Sequence, residues 1–249
     1  MAIPHIGRPT AFLFDLDGTL VDSVYQNVLA WRSALHQLGI DCAVWRIHRR
    51  IGMSAGLVSH ALLRETGRAV TEDEAELLAR LHQEEYARQE FSVRPLPGAS
   101  ELLSTLTDAG IPFAIATSGR AKTARPAVAM LGANPGFPLV THDDVPHAKP
   151  DPDLFLAAAQ ALGADIEQAW VVGDSVWDML AARRAGALGV GLLSGGYGLD
   201  ELLQAGAYRV YQDPADLLRH LDELGVRRAS AGPGGPFTHA PDCPARGET

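Results

Sequence analysis

Two acidic residues, Asp15 and Asp17, close a short apolar run in the segment Phe14-Asp15-Leu16-Asp17-Gly18-Thr19. In a strand, side chains i and i+2 point to one face, so both carboxylates would converge where the run stops. Two close carboxylates do not ionise together easily. A second acidic pair, Asp174 and Asp178, follows the apolar residues Val171-Val172. Four-residue spacing puts the two on one face of a starting helix, and hard carboxylate oxygens are what Mg²⁺ requires. Thr117-Ser118-Gly119 ends a third apolar run. Its hydroxyls, and the backbone N–H groups entering the next helix, suit phosphate oxygens. Lys149, one of only two lysines in the chain with Lys122, precedes a helical pattern. A compact ammonium suits an anion such as phosphate.

Each motif alone has an ordinary structural explanation: an Asp-Gly turn, a loop serine, a solvated lysine, an acidic helix cap. Together and in this order they supply a nucleophile, an acid/base, charge neutralisation and a metal site, the parts that phosphoryl transfer needs. Other patterns carry less. A calcium loop also begins D-x-D, but Leu20 and Gln26 stand where it needs Gly and Glu. His142, Asp143, Asp144 and His147 imitate a metal cluster but read as loop residues. Gly189-Val190-Gly191 lies inside a strand-like run and lacks the third glycine of a dinucleotide site.

The motifs need rigid elements to position them. Apolar runs at 11–14, 112–116, 169–172 and 188–193 read as strands buried on both faces, the mark of a parallel sheet. Helical patterns at 99–109, 121–131, 153–162 and 176–185 alternate with them, and a further unit follows at 208–211 and 214–224. This alternation predicts an α/β core, a doubly wound parallel sheet of Rossmann-like type. Residues 23–94 break it. Val24, Val28, Trp31, Leu35 and Leu38 recur at steps of three and four, and 72–90 is similar. The expectation is a helical cap at 23–94, closed by Pro95-Leu96-Pro97-Gly98, inserted into a core of 1–22 and 95–228. Residues 229–249, rich in Gly, Pro and Ala, read as a disordered tail.

Composition narrows the function. Hydrophobic residues make up 47%, enough for a sizeable core. The net charge of −9 gives no basic footprint for nucleic acid, although a local pocket can still take a small anion. Two distant cysteines, Cys42 and Cys243, imply neither a disulfide framework nor a zinc site. The opening residues lack the blocks of a signal peptide, and no apolar run approaches the ~18 residues of a membrane span. The expected location is the cytoplasm, away from membranes.

On Asp15-Leu16-Asp17-Gly18-Thr19, Thr117-Ser118, Lys149-Pro150 and Gly173-Asp174-Ser175-Val176-Trp177-Asp178, the chain resembles the haloacid dehalogenase superfamily. The likeness spans about residues 10 to 225 and is to the phosphatase branch with a helical cap after the first motif. It implies that Asp15 attacks phosphorus and that Asp17 protonates the leaving oxygen and then activates water. Thr117 and Lys149 would hold the phosphoryl group, with Ser118 and Gly119 beside it. Asp15, the backbone carbonyl of Asp17 and Asp174 would bind Mg²⁺, with Asp178 next to them. The implied partner is a small phosphorylated metabolite such as phosphoglycolate or a sugar phosphate, and the enzyme a monomer or small homo-oligomer. An acid at Asp17 favours phosphate esters over carbon–halogen bonds. A β-phosphoglucomutase-like mutase uses the same core, but its Gly-x-Ser-Arg loop is Gly52-Met53-Ser54-Ala55 here, without the arginine. A non-catalytic module on a dead core conflicts with intact Asp15, Asp17, Lys149 and Asp174. In the cap, Arg46, His48, Arg49 and Arg50 form a basic cluster, either a solvated face or, through Arg49 and Arg50, a contact to an anionic substrate.

Overall fold

A computed structural model of the chain describes residues 11–67, 71–132 and 136–226. The expected tail at 229–249, with Cys243, lies outside them, as do the last two residues of the expected core. Six strands build one parallel sheet: β1 (Ala11–Phe14), β4 (Phe113–Ala116), β5 (Leu139–Val140), β6 (Ala169–Gly173), β7 (Leu188–Leu192) and β8 (Ala207–Tyr211). Their spatial order is β5-β4-β1-β6-β7-β8. Every neighbouring pair is parallel, with Phe12 opposite Phe113 on one side and Trp170 on the other.

The continuous apolar runs are explained by two cores. Phe12, Phe14, Trp170 and Val172 enter one hydrophobic cluster with helices α5 (Ala99–Asp108) and α10 (Pro214–Arg219). Ala11, Leu13, Ala169 and Val171, one residue out of phase, enter the other with α7 (Asp153–Leu162) and α8 (Val176–Ala185). A strand covered on both faces leaves no position for a polar residue, so period-two alternation disappears. The remaining core helices are α6 (Ala121–Ala129) and α9 (Leu199–Ala205).

Between β1 and β4 the chain makes α1 (Val24–Gln37), α2 (Val44–His48), α3 (Ala55–Glu65) and α4 (Glu72–Ala87). Val24, Val28, Trp31 and Leu35 of α1 pack with Ile47, Val58, Leu62 and Leu78 in a cluster of their own. Two-residue strands β2 (Val21–Asp22) and β3 (Arg94–Pro95) pair antiparallel at the segment's two ends. Among the described residues, no helix is long and apolar enough to cross a membrane.

Four elements differ from the sequence expectation. β5 has only two residues, too few to show any period, and β2 and β3 are equally short. The single helix expected at 214–224 is two pieces: α10 ends at Arg219, His220 leaves helical geometry at φ −113 and ψ 22, and Leu221–Leu224 is a 3₁₀ turn. That break lets Leu217, Leu221 and Leu224 all reach the first core.

The fold rests on β1, whose side chains fill both cores. Leu13→Ala should destabilise the protein by about 2–5 kcal/mol, the range for deleting a buried leucine without full collapse of the void. Urea unfolding of the two proteins measures it.

Candidate active site

The parallel sheet brings the ends of β1, β4 and β6 to one edge. β1 delivers Asp15, whose backbone N–H still donates to the Val172 carbonyl at 2.8 Å. The chain then turns tightly. Leu20 N–H donates to the Leu16 carbonyl, Gly18 N–H donates to the Val21 carbonyl, and Gly18 takes φ 85, where only glycine is unstrained. β4 delivers Thr117, Ser118 and Gly119, and β6 delivers Asp174. Lys149, on the loop before α7, is fully enclosed.

The Lys149 ammonium bonds Asp15 Oδ1 and lies 2.8 Å from Asp178 Oδ1. Asp178 also closes a helix cap. Its Oδ2 accepts from Ser175 Oγ at 2.5 Å and from Ser175 N–H at 3.0 Å, a reciprocal box that starts α8. Its structural and site contacts thus use different oxygens. Asp174 sits just before the helix and accepts from Thr19 Oγ1 at 2.9 Å. Ligand oxygens of Asp15, Asp174 and Asp178 lie within 4.8 Å of one another, all buried. Asp17 is held apart from this trio: Ser23 Oγ donates to its Oδ1 at 2.5 Å, Asn27 Nδ2 at 3.4 Å, and Thr117 Oγ1 reaches its Oδ2 at 3.5 Å.

Burial drives the electrostatics. It raises Asp15 to about 7, with Asp178 and Asp17 adding to the rise and Lys149 opposing it. Burial also raises Asp17, against hydrogen bonds from Ser23 and Thr117 and the charge of Lys149. Asp174 is raised well above the usual carboxylate range by burial and by its acidic neighbours Asp178 and Asp15. For Lys149 burial acts downward, but Asp15 and Asp178 outweigh it and hold the ammonium charged.

Above these groups opens a cavity of about 230 Å³, walled by Asp15, Asp17, Thr117, Ser118 and Gly119 below and by α1, α3 and α4 residues above. Ser118 Oγ donates to the Gly52 carbonyl at 3.0 Å, and Gly119 N–H donates to Thr117 Oγ1 at 3.0 Å. The structure therefore brings together Asp15, Asp17, Thr117, Ser118, Gly119, Lys149, Asp174 and Asp178. It does not bring Arg49 and Arg50 to the cavity. Arg49 pairs with Glu201 of α9 and lies over the Tyr197 ring, 4.3 Å from its centroid. Arg50 pairs with Glu65 of α3. Both guanidiniums are drawn to acids whose positions helical periodicity alone does not reveal.

Sequence reasoning passed over Thr19, Ser23 and Asn27. Ser23 stands at the N-cap of α1 yet makes no capping bond, spending its hydroxyl on Asp17 instead. Asn27 lies one helical turn further along, a spacing that could have flagged the pair. Of the discounted lookalikes, Asp143 pairs with Arg120, Asp144 closes a cap on Thr141, and Gly189 and Gly191 lie within β7, whereas His142 lines the cavity.

The family model of haloacid dehalogenase-like hydrolases matches residues 9–186. A phosphoglycolate phosphatase of Neisseria meningitidis is 35% identical over 78% of this chain and 83% of its own. Hexitol phosphatase A of Escherichia coli is 35% identical over 72% of this chain and 81% of its own. The crystal structure of a hydrolase from Pseudomonas syringae superposes with a TM-score of 0.83 at 55% identity, covering 86% of this chain and 98% of that one. With the strand-end acidic groups in a parallel α/β sheet, these likenesses make the chain a member of the haloacid dehalogenase-like hydrolase family.

Proposed function

We propose that the protein is a Mg²⁺-dependent phosphatase that hydrolyses a small phosphate monoester through a phospho-aspartate on Asp15. The observation that carries this reading is the division of the two strand-end carboxylates. Asp15 is held by the Lys149 ammonium, whereas Asp17 is held by the neutral donors Ser23, Asn27 and Thr117 at the cavity floor. A nucleophile must stay ionised and a general acid must carry a proton: the ammonium in contact with Asp15 favours its ionised form, while burial raises Asp17 against its neutral donors.

Residues 23–94 serve in this reading as a cap over the core of 1–22 and 95–228. Asp15 attacks phosphorus and the bond to the leaving oxygen breaks, while Asp17 gives that oxygen a proton. Asp17, now a carboxylate, takes a proton from the water that cleaves the acyl phosphate. Lys149 neutralises charge on the transferring group, and Thr117 and Ser118, with the N–H groups around Gly119, orient its oxygens. Ser23 and Asn27 fix Asp17 in place, and the cap excludes bulk water.

The acidic trio fits a hard divalent cation. Its donors are all carboxylate oxygens, without thiolate or imidazole. One ammonium faces Asp15, Asp174 and Asp178, leaving uncompensated negative charge in a buried site. The backbone also makes room for the carboxylate: a Cβ on Gly195 would stand 1.7 Å from Asp174 Oδ2, and one on Gly18 2.5 Å from it. Asp15, Asp174 and the Asp17 carbonyl would hold Mg²⁺, with Asp178 beside them. Bound there, the ion supplies charge neutralisation for the phosphoryl group and favours the ionised form of Asp15.

The names of the relatives do not select a substrate, since a phosphoglycolate phosphatase and a hexitol phosphatase are equally identical to this chain. Hydrolysis is favoured over a mutase reaction because Ala55, at the position where the mutase loop has arginine, lines the cavity with a methyl group.

Hydrolysis of p-nitrophenyl phosphate should require Mg²⁺ and cease on chelation; full activity after exhaustive chelation would refute the metal role. Asp15→Asn should abolish both turnover and any acid-trapped phospho-enzyme. Asp17→Asn should lose about 10²–10⁴-fold in rate with poor leaving groups and less in the phosphorylation step with good ones. Thermal melting reads the metal site without catalysis. Mg²⁺ at roughly 100 times its Kd should stabilise wild type by ~2.7 kcal/mol. Gly195→Ala, which pushes Asp174 aside, should lose most of that gain. With β-glucose 1-phosphate the expected product is inorganic phosphate, or none, and never glucose 6-phosphate.

A further inference from the structure

The cavity above Asp15 has a definite chemical character on its cap side. Trp31, Ile51, Met53, Val58 and Tyr86 supply an apolar and aromatic wall. His82 stacks on Trp31 with ring centroids 4.0 Å apart and planes 12° from parallel, and Tyr86 continues the row at 6.2 Å from His82. Neither ring nitrogen of His82 has a hydrogen-bond partner, and both are shielded from solvent. Burial lowers its pKa to about 3, so the ring is neutral at physiological pH. Asn27 and Gln83 add uncharged amides.

The described residues on the cap side of the cavity offer no positive charge to a carboxylate. Among the described residues, no cap arginine lines the cavity: Arg46 and Arg50 pair with Glu65, and Arg49 with Glu201. Among the described residues, the one charged group on the cap side of the lining is Glu90, which repels an anion. The basic lining residues, Arg120 and Lys122, belong to the core side. Arg120 is 2.8 Å from Asp143, and Lys122 is exposed.

Resting on the phosphatase reading, we propose that the alcohol half of the substrate is a bulky, uncharged, ring-bearing group, a sugar, cyclitol or aryl ring, packed against the Trp31–His82–Tyr86 row. A carboxylate-bearing alcohol is disfavoured. An uncharged ring buries apolar area against the aromatic wall, and its hydroxyls find partners in neutral amides. A carboxylate would lose its hydration beside Glu90 and gain no cation from the cap.

The test compares kcat/KM for p-nitrophenyl phosphate, glucose 6-phosphate, myo-inositol 1-phosphate and 2-phosphoglycolate, on wild type and Met53→Arg with Mg²⁺. Glucose 6-phosphate or myo-inositol 1-phosphate should exceed 2-phosphoglycolate by about tenfold or more in wild type. Met53→Arg, which places a cation in the wall, should raise 2-phosphoglycolate by roughly 10- to 150-fold relative to the rings. Ala55→Arg provides the same charge from the first turn of α3 if Met53→Arg does not fold. Turnover of 2-phosphoglycolate equal to or above that of both glucose 6-phosphate and myo-inositol 1-phosphate in wild type overturns the inference. So does a substrate ratio that neither arginine moves. In both cases hydrolysis of p-nitrophenyl phosphate leaves the phosphatase reading standing. Absence of any hydrolysis, p-nitrophenyl phosphate included, removes that reading and the inference with it.

Discussion

One fully enclosed ammonium organises the molecule. Lys149 has no contact with solvent and lies against Asp15 from the end of β1 and Asp178 from the first turn of α8. Taking a charge out of water is tolerable only with partners at close range, and removing one partner of a buried pair typically costs about 3–5 kcal/mol. The loop that carries Lys149, the central strand and the following helix are therefore locked to a common point. The lock is also unbalanced. Asp174 and Asp17 bring the local acids to four, and burial raises the proton affinity of three of them. A site built this way is complete only with further positive charge or bound protons.

Sheet direction makes that crowding attainable. In a parallel sheet every strand ends at the same edge, so β1, β4 and β6 deliver side chains to one place without any long-range coincidence. What remains is backbone room. Gly18 and Gly195 approach Asp174 so closely that a methyl group on either would collide with the carboxylate. Ser194 Oγ ties the two loops by donating to the Gly18 carbonyl at 2.6 Å.

Much of this was legible in the sequence because it depends on local signals. The runs around Leu13, Ile115 and Val171 show no alternation because both faces are covered, and each chemical motif directly follows such a run. What stayed hidden depends on tertiary placement. Ser23 looks like an ordinary helix cap until its hydroxyl is seen on Asp17. Asp178 reads as either cap or site residue and has one oxygen in each role. Arg49 and Arg50 form a basic cluster in sequence, but Glu201 lies more than 150 residues away from Arg49 in the chain. Gly195 belongs to a Gly-rich loop with no motif of its own, and its importance appears only as the absence of a side chain beside Asp174.

The two-residue pair of β2 and β3 carries a consequence for how such a chain can change. Asp22 and Arg94 sit directly opposite each other, so the backbone departs from the core and returns to it at neighbouring positions. The stretch between them is topologically silent: it can lengthen or shorten without shifting the register of a single sheet strand. The entropy of closing that excursion grows only as the logarithm of its length, about 0.6 kcal/mol for each doubling. Beyond Ser23 and Asn27, which hold Asp17, the roof of the cavity can thus vary in length while the sheet that carries the floor keeps its register.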